Sequence, residues 1–163
     1  MEDKNAKTYK NLRIFNAVMG FFHLVQATLM LLVSNDFTLP VTSSFLKYNQ
    51  ITGAILPVNK ELFQLKIGPL VAGFLFISAI AHFLLTLPVI YKWYIKNLKK
   101  KINFARWYEY AFSSSLMIIV IGMLSGIYDV GALILLFALN ATMILFGLMM
   151  ELHNQSTKRT NWT

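Results

Sequence analysis

Three ionisable side chains, His23, His82 and Glu109, sit in stretches of sequence otherwise almost free of charge. Imidazole and carboxylate are the groups that hold and pass protons near neutral pH. Buried in hydrocarbon, each costs about 2.5–3.5 kcal/mol on insertion scales, so such groups usually face a cavity or a partner. Glu109 is the most demanding, because a carboxylate below the lipid headgroups needs a cation, a proton or water. Neutral polar residues extend the set. Ser78 is four before His82, Ser113 four after Glu109, and Gln26 three after His23, each on a shared helical face. Asn140 falls in the middle of an apolar run. Each also has a plainer role. A histidine can bond a backbone carbonyl, serines can let helices approach, and Asn140 can bridge helices for about 0.6 kcal/mol. Arg106, three residues before Glu109, could simply pair with it.

The elements that must position these groups are four long apolar runs, Ile14–Val33, Ile67–Tyr91, Trp107–Tyr128 and Val130–Met150. Each approaches the ~20 residues that cross ~30 Å of hydrocarbon as a helix. The chain of 163 residues is 56% hydrophobic and 13% charged, whereas a soluble domain carries about a quarter charged residues. The composition predicts an all-α polytopic transmembrane bundle forming one domain over 1–163. Helices are expected over about 13–34, 67–91, 104–127 and 130–151. With a ~1.5 Å rise per residue, Glu109 is expected ~8 Å, His82 ~13 Å and His23 ~15 Å from the inner ends of their helices.

The formal charge of +8 reflects membrane orientation and not nucleic-acid binding. Lys4, Lys7, Lys10 and Arg13 precede the first run; Lys92, Lys96, Lys99, Lys100, Lys101 and Arg106 lie between the second and third; Lys158 and Arg159 follow the fourth. Lysine and arginine collect on the cytoplasmic side. Both termini and the 92–103 loop are therefore expected inside, and the 35–66 loop outside the cell membrane. Punctuated by Pro40, Gly53 and Pro57, that outer loop reads as a short β-hairpin. Its apolar residues suit a partner subunit. The inner loop mixes Trp93 and Tyr94 with lysines, as an interfacial belt drawn to anionic lipid does. The sequence has no cysteine, which excludes disulfide and thiolate chemistry. The first run follows thirteen mostly polar residues without a cleavage pattern, which favours an uncleaved helix. Asn161-Trp162-Thr163 matches a glycosylation acceptor by chance, being on the inner side.

The segment "RWYEYAFSSSLM", residues 106–117, resembles the third helix of microbial-type rhodopsins. Arg106, Glu109, Tyr110, Ser113 and Met117 form one stripe there at spacings of three and four. Glutamate as the carboxylate, entry of this motif from the cytoplasmic side, the long first outer loop, histidines on the first two helices and "NATMILFGLMME" on the fourth together resemble heliorhodopsin. The resemblance implies four spans of a seven-helix rhodopsin-like fold that binds retinal as a protonated imine. It implies Glu109 as counterion and His23, His82, Ser78, Asn140 and Arg106 as a polar cavity and proton network. Tyr110, Ser113, Ser114, Met117 and Met143 would line the retinal. It further implies a sensory, non-pumping photoreceptor, a homodimer and a signalling partner. In the family the imine lysine lies on the seventh helix; all lysines here lie in loops or tails, so an incomplete chain is expected.

Two other classes share the polar belt. A four-helix proton-coupled transporter or channel subunit would use His23, His82 and Glu109 as a relay without a chromophore. A structural membrane protein would use them to staple helices. Enzyme chemistry has little support, since the sequence lacks zinc spacing and a glycine-rich phosphate loop.

Overall fold

A computed structural model describes residues 2–157, with side chains from Lys7 onward. Lys158, Arg159 and the 161–163 acceptor lie outside the described residues, as does the side chain of Lys4. The chain runs α1 (Glu2–Val33), β1 (Thr38–Asn49), β2 (Ala54–Lys66), α2 (Ile67–Leu84), α3 (Pro88–Lys99), α4 (Phe104–Leu124) and α5 (Val130–Thr157). Four helices, α1, α2, α4 and α5, are long and apolar enough to cross a membrane. They pack in sequence: α1 on α2, α2 on α4, and α4 on α5. Only 11–33% of each most apolar window is buried within the chain, so most of the apolar surface is left for lipid or further helices.

The expected helix over 67–91 is two helices. α2 stops at Leu84 because Thr86 and Leu87 bond back three residues, to Phe83 and Leu84. Leu87 is then extended (φ −66°, ψ 134°), with Pro88 opening α3. A residue before proline disfavours the helical region, and proline suits a first helical turn, where no amide donor is needed. Arg13 of α1 clamps the break, donating to the Thr86 carbonyl from Nε (2.9 Å) and Nη2 (2.6 Å). The 92–103 segment expected as a loop is thus mostly α3, a short helix with Tyr94 buried and Trp93 exposed.

The outer hairpin is longer than a short loop implies, with strands of 12 and 13 residues. They pair antiparallel from Thr38↔Lys66 to Asn49↔Ala54, with an irregularity between Val41 and Thr42. There the hairpin meets the helices. Val41 is 1% exposed and joins Ile67, Val120, Met123 and Leu133 in the core. Thr42 N–H donates to the Tyr128 carbonyl at 2.8 Å. The α4–α5 turn is made by Gly126 at φ 92°. Gly126 and Ile127 amides close back onto Met123 and Gly122, the left-handed helix stop that favours glycine.

Candidate functional site

α1 turns one stripe inward: Asn16, Gly20 and Ala27 are buried and His23 is half-buried, at spacings of four, three and four. From α2, Ser78 and His82 face the same interior, one turn apart. From α4 comes Glu109, one and a half turns beyond the Asn103 cap, whose side chain accepts from Arg106 N–H. These three helices bring the predicted residues together. Ser78 Oγ donates to Glu109 Oε1 at 2.5 Å. The His82 ring stacks on His23 with centroids 5.6 Å apart and planes at 16°. His82 Nδ1 is 2.9 Å from Asn16 Oδ1. Since the Asn16 amide nitrogen already donates to the Leu12 carbonyl, that oxygen is an acceptor and the proton sits on His82 Nδ1. His23 Nδ1 lies 3.2 Å from Gln26 Oε1.

Between α1, α2, α3 and α4 lies a cavity of about 180 Å³, lined by Asn16, His82, Tyr94, Asn103, Arg106 and Glu109 among others. Its wall is mostly apolar with these polar groups set into it, and it has room for a cluster of waters, each needing two to four polar partners. Asn16, Tyr94 and Asn103 were not among the sequence candidates. Asn16 is legible as the i−7 neighbour of His23; Tyr94 and Asn103 depend on how the chain turns at the Leu87–Pro88 break before α3.

Arg106 does not pair with Glu109. Its Nη2 donates to Glu151 Oε1 at 2.6 Å, and its guanidinium lies 4.4 Å from the Trp107 ring centre. It lines the cavity but spends its charge elsewhere. Among the described residues the ion pairs are Lys66–Asp36 and Arg106–Glu151, so Glu109 has no cation against it.

Two groups of the expected residues stand apart from this cavity. Asn140 does not join the histidine cavity. Its helix, α5, packs chiefly on α4, and its amide donates to Ser114 Oγ (2.8 Å) and Ser115 Oγ (3.1 Å) across the α4–α5 seam. The retinal-lining set is also not gathered into one pocket. Tyr110 edges the Glu109 cavity, and Ser113 is buried within the bundle. Ser114 bonds the Tyr110 carbonyl and accepts from Asn140. Met117 stands 40% exposed. Met143 lines a separate open recess of about 440 Å³ with Asn140, Leu136 and Phe146. The depth of His82 also changes: it is two residues, ~3 Å, from the end of α2. Among the described residues no three His, Asp or Glu side chains gather to hold a metal.

Four helices long and apolar enough to cross a membrane, three of which enclose a carboxylate bonded to a hydroxyl, define an integral membrane protein. The sequence model of the Heliorhodopsin family matches residues 12–163, and the chain belongs to that family. No curated protein matches the chain. Family membership implies a retinal chromophore. The donor set fits its charged half, since a carboxylate without a cation is what a buried protonated imine requires. The amine half is absent here, because no described lysine lies in the apolar core of a span.

Proposed function

We propose that this chain supplies the counter-charge side of a light-sensing, non-pumping retinal photoreceptor, the imine lysine being carried by helices beyond these four. Bound as a protonated imine, retinal supplies visible absorption and a light-driven change of shape. Glu109 balances that charge. Ser78 occupies Oε1 and leaves Oε2 to face the cation or take up a proton. His82, held by Asn16 and stacked on His23, provides proton-holding groups toward the lysine-rich end. That end is read as cytoplasmic from its charge. The apolar hairpin residues Phe45, Leu46, Tyr48 and Ile51, all exposed, support the homodimer that the family resemblance implies.

The observation that carries this reading is the Ser78–Glu109 bond in the absence of an Arg106–Glu109 pair. Its test is spectroscopic. In the retinal-loaded assembly of this chain with the lysine-bearing helices, Glu109→Gln is expected to move the visible band to longer wavelength. The ground-state charge pair is lost while the excited state, with its positive charge displaced, loses less. A band that stays in place removes Glu109 from the counterion role.

A further inference from the structure

At the lysine-rich end, a second recess of about 360 Å³ opens between the start of α1 and α3, lined by Tyr9, Tyr91, Lys92, Ile95, Lys96 and Lys99. We propose that this recess binds the phosphate headgroup of an anionic phospholipid.

The three lysines follow one another at spacings of four and three, so they share one face of α3. All three are exposed. Among the described residues none forms an ion pair. Like charges at this spacing repel, and an anion seated among them relieves that repulsion. The floor is aromatic and fixed. The Tyr91 hydroxyl donates to the Tyr9 carbonyl, tying α3 to α1. Lys99 Nζ already lies 5.7 Å from the Tyr9 ring centre, which directs its ammonium across the recess. The Arg13 guanidinium lies over Tyr91, 5.3 Å from its ring centre.

The surroundings select a lipid over a soluble phosphate. Tyr9 is in the opening turn of the first candidate span. Beside the lysine arc on α3, Val89 is 81% and Trp93 45% exposed. An exposed apolar residue and a tryptophan next to lysines mark a helix lying at headgroup level, rings toward the acyl chains and ammonium groups toward the phosphates. A headgroup entering the recess would keep its chains against Val89 and Trp93.

The test uses the full chain in neutral-detergent micelles, titrated with phosphatidylglycerol or phosphatidylcholine, with bound lipid counted by native mass spectrometry. Phosphatidylglycerol is expected to bind preferentially. Each lysine near an anionic headgroup contributes roughly fivefold, so Lys92→Gln/Lys96→Gln/Lys99→Gln is expected to weaken binding roughly a hundredfold, and Lys96→Gln alone about fivefold. Lys100→Gln/Lys101→Gln, which removes neighbouring charge outside the recess, is expected to bind as the parent does. Circular dichroism identifies a triple variant that has lost helix, in which case the single variant decides. Equal weakening in the neighbouring-charge variant, or no preference for phosphatidylglycerol, overturns the site. Displacement of the lipid by inorganic phosphate reassigns the recess to a soluble anion and overturns the lipid assignment.

Discussion

A guanidinium three residues before a carboxylate on a helix has both charges on one face, yet Arg106 turns away from Glu109. The reason lies 45 residues on. Glu151 offers one oxygen to Arg106 Nη2 and the other to the Asn103 amide at the start of α4, while Trp107 gives the guanidinium a face to lie on. Glu109, deeper in the bundle, is left to the Ser78 hydroxyl. This division is testable. Arg106→Gln removes a partly exposed ion pair, 43% and 20% exposed, and such pairs contribute about 0–1 kcal/mol. The variant is expected to unfold within that margin of the parent in mixed-micelle denaturation. In the retinal-loaded assembly its visible band should stay where it is, whereas Glu109→Gln moves it. A large band shift in Arg106→Gln means the guanidinium contributes to the chromophore's charge balance after all.

Between elements, closeness of approach and one turn do most of the positioning. α4 and α5 meet so tightly that a Cβ built on Gly147 would lie 2.3 Å from the Trp107 ring. Gly147→Val is expected to cost about 1–3 kcal/mol, the usual penalty of overpacking, and to change Trp107 emission as its half-buried indole is displaced. Unchanged stability and emission would show that the seam can open freely. At the other end Asp129 ties the α4–α5 turn to the hairpin, accepting from Ala132 N–H (3.1 Å) and Ser44 N–H (3.2 Å). The Ala132 amide above all, with those of Ser44 and Gly131, holds this carboxyl below its ordinary value of 3.8. A depressed carboxylate stabilises the folded state above its unfolded value and ceases to as pH falls through the folded one. Hydrogen exchange at Ser44 should therefore quicken as pH drops below about 3.8, after correction for the intrinsic rate. In Asp129→Asn that extra acid-induced quickening should vanish; its persistence would rule Asp129 out as the cause. Span identity, the hairpin and the convergence of His23, His82, Ser78 and Glu109 were legible, because hydropathy and helical spacing are local signals. Three features were not. The Leu84–Pro88 break depends on how three carbonyls are satisfied, Asn140's attachment on which helix neighbours α5, and Glu151's pairing on a long-range contact.

At the scale of the whole molecule, charge is sorted by end. The start of α1, α3 and the two residues after it carry Lys7, Lys10, Arg13, Lys92, Lys96, Lys99, Lys100 and Lys101, while the hairpin carries only Lys47, Lys60 and Lys66. One of those, Lys66, is neutralised by Asp36 at 2.6 Å. Asp36 is correspondingly held below the ordinary carboxylate range, by its bond to Lys66 and by the ammonium charge. The hairpin end is thus less basic still than a count of lysines implies. The Glu109–His82 cavity lies at the opposite end, next to α3. Insertion retains basic segments in the cytoplasm, so the cavity is expected to face inward and the hairpin outward. The absence of cysteine makes this direct to measure, since a single introduced thiol has no competitor. Thr52→Cys at the hairpin turn and Lys100→Cys after α3 both replace exposed residues. In intact cells a membrane-impermeant maleimide is expected to label Thr52→Cys alone, with Lys100→Cys labelled only after permeabilisation. The reverse pattern would turn the bundle over and place the Glu109 cavity toward the outside.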